Sequence, residues 1–228
     1  MELLLSKLAY ECIRYAIEVP TGTDFLYADF CNRKFEYNSD FNMQAEMVWG
    51  RINTAIQNLY SAHKVSTFTK RYAVHKEKEN LPYVVLDKDA GEVANVVDFG
   101  SDGSYFNYSF RRGRTMGEEK VEDRVTIVNG IPGDNVTVEY YRQPKRFSST
   151  DVVAVTDTDD TNIDLSDYGI TPQGYDYIVN YVQAKVTELV DPVISARKQS
   201  EASEILTSIN QEPKFSQDHI GVYEGGIY

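Results

Sequence analysis

Cysteine is nearly absent from this chain: Cys12 and Cys31 are the only two in 228 residues. Two cysteines make neither a disulfide framework nor a zinc spacing, and both are expected to be reduced thiols. Histidine is scarce as well. His63, His75 and His219 are too dispersed to pair as ligands on one helix face, and no HExxH, calcium-loop, P-loop, GxGxxG or GxSxG pattern occurs. No stretch gathers a nucleophile, a base and an orienting group. The expectation is a protein that is not an enzyme and uses no cofactor and no metal. Long apolar runs are missing too: none reaches the ~20 residues of a membrane span. The opening, MELLLSKLAYECIRYAIEV, has no basic n-region and no small-residue cleavage site. Glu2, Lys7, Glu11 and Arg14 interrupt it, so a helix is expected there and not a targeting segment.

Positive charge is in short supply at one end. The net charge is −12, and residues 148–228 hold 4 basic against 14 acidic groups, while residues 65–147 hold 13 of each. Tight non-specific binding of DNA needs clustered Lys and Arg, so an acidic third argues against it. What the chain does have is ordinary globular composition, 42% hydrophobic and 25% charged, with 17 tyrosines. Many of those hydroxyls must reach water or a partner, which suits large interfaces.

Helical and strand periodicities divide the chain. Leu4, Leu5, Leu8, Ala9, Cys12, Ile13, Ala16 and Ile17 predict an amphipathic helix over 2–19, ending before Pro20. The following loop carries Phe25, Leu26, Tyr27, Phe30, Phe35 and Tyr37, which predicts that it packs on something. A second helix is expected over 40–63 from Phe41, Ala45, Val48, Ile52, Ala55 and Leu59, widened by Trp49, Ile56 and Tyr60. Gly50 within it is expected to mark a close helix crossing. From Val65 to Phe147 the period becomes two. Strands are expected at 65–73, 81–86, 92–99, 104–111, 124–129 and 135–141, a five- or six-stranded antiparallel module joined by hairpins. An acidic connector, 148–169, with one short strand at 152–155, leads to two further helices. Those meet at Asp191-Pro192, an N-cap followed by a first-turn proline. The fold class is therefore α+β: N-terminal helices (1–64) and C-terminal helices (148–211) form one helical bundle, with an antiparallel β domain (65–147) inserted. The tail, 212–228, follows, either a frayed terminus or an extended arm that orders on a partner, with Phe215, Ile220, Tyr223, Ile227 and Tyr228 as anchors.

Two polar clusters have competing readings. Asp157, Asp159, Asp160, Asp164 and Asp167 lack EF-hand spacing, and a solvated linker is preferred to a calcium site. Arg111, Arg112 and Arg114 could contact phosphate or an acidic surface. A hairpin tip neutralised by Glu118, Glu119, Glu122 and Asp123 is preferred.

Four stretches carry a resemblance: AEMVWGRINTAIQNLYSAH, LPYVVLDKDAGEVANVVDF, VTVEYYRQPKRF and YDYIVNYVQAKVTELVDPVISARKQSEASEIL. Over roughly residues 40–210 the chain resembles the head-to-tail connector proteins (adaptors, or neck rings) of short-tailed bacteriophages. The resemblance implies a virion protein at the head–tail interface, assembled in the host cytoplasm as a homo-oligomeric ring, commonly of twelve copies. It implies docking on the portal protein, a platform for the next tail or ring protein, and genomic DNA passing through without specific binding or any membrane contact. Mapped here, Trp49, Ile52, Ile56, Tyr177, Tyr181 and Leu189 would serve ring packing, and Phe215–Tyr228 the portal contact. The alternative is a host-surface or glycan-binding β module on a helical stalk, with Phe106, Tyr108 and Phe110 on one strand face.

Overall fold

The computed structural model describes residues 3–22, 24–31, 39–76, 81–98, 106, 108–111, 115–116, 119–120, 123–128, 130–152 and 163–209. Helix α1 (Leu5–Thr21) buries Leu5, Leu8, Ala9, Cys12, Ile13, Ala16 and Ile17, the stripe its spacing predicts. It does not stop before Pro20. The backbone stays helical through Thr21 and closes at Gly22, whose φ of 65° makes the left-handed C-cap. A proline in the last turn removes only one ladder donor there, so glycine sets the end. The first part of the aromatic loop packs: Phe25 and Phe30 are buried, and Tyr27 and Phe30 of the short α2 (Tyr27–Cys31) lie against the Tyr10 ring, while Phe35 and Tyr37 lie outside the described residues. Leu26 instead points outward.

Helix α3 (Ser39–Ser61) buries Ala45, Val48, Trp49, Ile52, Ala55, Ile56 and Leu59. After the β module the chain returns through Leu165–Tyr168, a 3-10 turn, into α4 (Pro172–Thr187) and α5 (Pro192–Ser208). Asp191 caps α5 by accepting from the Val193 and Ile194 amides at 3.1 and 3.0 Å, with Pro192 in its first turn. Helix α4 ends earlier than the apolar spacing predicts. Leu189 and Val190 fall in the turn before α5 and face solvent, at 96% and 53% exposure. Helix α4 packs on α1, α3 and α5, and backbone bonds tie the start of the chain to the segment before α4: Leu5 N to Ile163 O (2.9 Å) and Leu165 N to Leu3 O (2.8 Å). One helical core thus draws on both ends of the chain, from Leu3 to Val65 and from Phe147 to Ile209. Val65 and Phe147 belong to it and not to the β module.

The β module has its own core, including Val84, Val96, Val125, Ile127, Val136 and Val138. Its strands are β1 (Phe68–Ala73), β2 (Tyr83–Val85), β3 (Ala90–Asp98), β4 (Tyr108–Arg111), β5 (Thr115–Met116), β6 (Glu119–Lys120), β7 (Arg124–Ile127) and β8 (Asn135–Arg142). A simple run of hairpins is not what forms. The last strand, β8, lies between β1 and β3, and β7 lies between β2 and β4, all antiparallel; β5 and β6 form a separate ribbon. Alternation marks which side of a strand is buried but does not name its neighbour. The two sheets are stitched at both margins, by the His75–Tyr83 backbone pair (2.7 and 2.9 Å) and by Phe106 N to Val96 O (2.9 Å). A ring of edges is thereby covered. Phe106, Tyr108 and Phe110 pack against this core, and the Tyr108 hydroxyl donates to Val93 and Ala94 carbonyls, so that aromatic side is not a free binding face. The expected strand at 152–155 is replaced at its start by a 3-10 turn, Ser149–Asp151, whose C-cap Val152 is buried in the helical core; 153–155 lie outside the described residues.

Candidate functional site

The stripe that buries one side of α3 leaves the other side open. Met43, Met47, Gly50, Thr54, Gln57 and Ser61 recur at three- and four-residue spacing and are all exposed, Met43 at 59% and Met47 at 58%. Gly50 marks no crossing within the chain: a Cβ there would meet nothing within 4 Å. Beside this face runs the segment that leaves β8. Asn53 fixes the spacing, donating from Nδ2 to Phe147 O (2.8 Å) and accepting at Oδ1 from Phe147 N (2.8 Å), while it also donates to Trp49 O. Between α3 and Pro144–Arg146 lies an open cleft of ≈370 Å³, floored by Gly50, Thr54 and Gln57.

The cleft continues into a second, of ≈420 Å³, where α3 meets β3 and β8. His63 stands there. With φ at 52° it is the one non-glycine in the left-handed region among the described residues. His63 N donates to Tyr60 O and Lys64 N to Leu59 O, the paired bonds of a Schellman cap. The imidazole lies 5.2 Å from the Tyr141 ring and 3.7 Å from Glu92 Oε2. Tyr60 donates to Tyr168 O, and burial pushes its phenol up to about 12. Arg142 reaches Asp167 O, and Gly169 presses on Ser66. The Arg142 bond and the His63 contacts with Tyr141 and Glu92 join the helical part to the β module.

Chemically, both clefts offer carboxamides, hydroxyls and guanidinium groups, the complement of a polypeptide surface. Lys145 is engaged by Asp151 at 2.8 Å. Arg146 is exposed and has no acidic partner among the described residues. The Cys12 thiol is fully buried, and burial pushes its pKa well up, so it stays a thiol. Among the described residues no group of three His, Cys, Asp or Glu side chains could hold a metal, and no helix is long and apolar enough to cross a membrane. Of the acidic cluster, Asp164 caps the 3-10 turn by accepting from Ser166 N and Asp167 is exposed; Asp157, Asp159 and Asp160 lie outside the described residues.

The predicted contact residues separate into three groups. Trp49, Ile52, Ile56 and Tyr177 are buried inside their own chain, at 7% exposure or less, and have no surface to give a neighbour. Tyr181 is half-buried beside Tyr177, and Leu189 is fully available. Arg111 ends β4 opposite Arg124, while Arg112, Arg114, Phe215, Ile220, Tyr223, Ile227 and Tyr228 lie outside the described residues. Sequence reasoning passed over Met43, Met47 and Val193 (80% exposed). For the two methionines the signal was present, as apolar residues on the polar side of the α3 stripe. No known protein family and no curated protein matches this chain.

Proposed function

We propose that this chain is a structural virion protein: an adaptor subunit that forms a ring between portal and tail, lengthens the DNA channel and offers a platform to the next component. One observation carries the reading. Apart from Leu26, the exposed large hydrophobics of the described residues gather at two opposite ends. Met43, Met47, Leu189, Val190 and Val193 lie at the end of the helices far from the β module. Leu81, Val128 and Ile131 lie at the module's far tip, where Pro82 O accepts from Ile127 N and Val74 O from Gly133 N. Exposed apolar groups at both ends suit a piece held between two neighbours. The resemblance over residues 40–210 supports the same assignment, and the acidic third, residues 148–228, suits a channel through which DNA passes without adhering.

The arm, with Phe215, Ile220, Tyr223, Ile227 and Tyr228, is assigned to the portal contact. Electron microscopy of the purified chain mixed with the portal protein of the same genome is expected to show an added ring. Truncation after Gln211 is expected to weaken that docking with circular dichroism unchanged. A monodisperse monomer that leaves the portal bare would sink the assignment.

A further inference from the structure

Helix α4 serves as a ruler for its two neighbours. Leu59 Cδ1 lies 3.4 Å from the Cβ position of Gly174, and Asn58 Nδ2 donates to Tyr177 Oη at 3.1 Å. Ser195 Oγ donates to Ala184 O at 2.9 Å, and Lys198 Nζ to Asn180 Oδ1 at 3.0 Å. Both α3 and α5 therefore run antiparallel to α4 and parallel to each other. Carried along straight helices at about 1.5 Å per residue, this register sets Met47 level with Val193, Gly50 with Ala196, Thr54 with Ser200, and Gln57 with Ser203.

The two outward faces consequently carry the same gradient. On α3, methionines at the far end give way to Gly50, Thr54 and Gln57. On α5, Val193 gives way to Ala196, Ser200 and Ser203, all exposed. Charge complements shape. Arg146, at the wall of the α3 cleft, has no acidic partner among the described residues, and Glu204, exposed on α5 near the height of Asn58, bonds only to the Ser200 hydroxyl among the described residues. Gly50 leaves the floor of the cleft without a side chain, which lets a second helix approach closely.

We infer that α5 of one copy lies in the α3 cleft of the next, Val193 against Met47, Ala196 over Gly50 and Glu204 paired with Arg146. The contact joins two different faces, so it is heterologous and repeats from copy to copy. The inference rests on the adaptor reading and names the subunit surfaces that would build the ring.

Cross-linking tests it on the full-length chain. In a Cys31→Ser background, Met47→Cys and Val193→Cys proteins are mixed and treated with a short bis-maleimide; the buried Cys12 is shielded from the reagent. A cross-linked dimer is expected only in the mixture. No dimer, or equal dimer in either protein alone, overturns the contact. By analytical ultracentrifugation, Arg146→Glu and Glu204→Arg are each expected to weaken association about tenfold, and their combination to restore it. Gly50→Trp is expected to block association with circular dichroism unchanged. Rings that form yet are not linked through this pair overturn the inference and leave the adaptor reading standing. Linked chains that never close at one size support the contact and overturn the ring.

Discussion

Asp191 holds a helix start and a chain reversal at once, because its carboxylate accepts two amides of α5 while Pro192 fixes the first turn. Asp191→Ala is expected to lower stability by about 1 kcal/mol, read in urea unfolding. This residue was legible in the sequence, since an Asp-Pro pair between apolar stripes has a local meaning. Gly169 was not. Its φ is 75° and a Cβ would stand 2.7 Å from Ser66 O, a partner distant in the chain. Gly169→Ala is expected to cost about 1–3 kcal/mol by the same measurement. Asp87 accepts from Lys70 Nζ at 2.6 Å and Tyr72 Oη at 3.0 Å, and the Lys70 bond foremost holds its carboxyl below the ordinary range. The folded state thus takes up this proton less readily than the unfolded chain. The stabilisation is full above the unfolded value of about 3.9 and fades as pH falls below it. The thermal midpoint of Asp87→Asn is expected to fall less steeply than the parent's below about pH 4.

At the scale of elements, α3 shows how far periodicity reaches. The buried stripe Ala45–Leu59 was legible because one side of a helix must be apolar to fold onto a core. The pattern could not say whose core. Ile52 and Ile56 are satisfied within the chain, while the face of α3 proposed for contact is the exposed side that looked merely polar. Gly50→Ala is expected to stabilise the isolated chain by about 1 kcal/mol, because the added Cβ meets no atom and helix propensity improves. Asn53→Ala is expected to lose about 1–3 kcal/mol in denaturant unfolding, since it strands the amide and carbonyl of Phe147 at the join with β8. Strand order lay beyond the sequence for a related reason. The pairing of β8 with β1 and β3 is chosen by which apolar sides share a core, as with Val136, Val138 and Val96, and not by any local turn.

At the scale of the whole molecule, the described residues form two cores joined by a polar seam, with exposed apolar groups at either end. The division into helical and β parts was legible from the change of period near Val65 and the return of helical spacing after residue 170. The seam was not, because Tyr60, His63, Arg142 and Gly169 meet across long stretches of chain. The closing of the helical core by both chain ends has a consequence for biosynthesis. Leu3 and Leu5 wait for Ile163 and Leu165, and α3 waits for α4, so the N-terminal helices leave the ribosome long before their partners exist. The β module, whose core lies between Tyr72 and Tyr140, is complete earlier. Translation therefore finishes the inserted part first and the helices last. The α3 groove and the outward face of α5, the two surfaces proposed to meet, exist together only when nearly the whole chain has been made, so a chain truncated before α5 cannot present both.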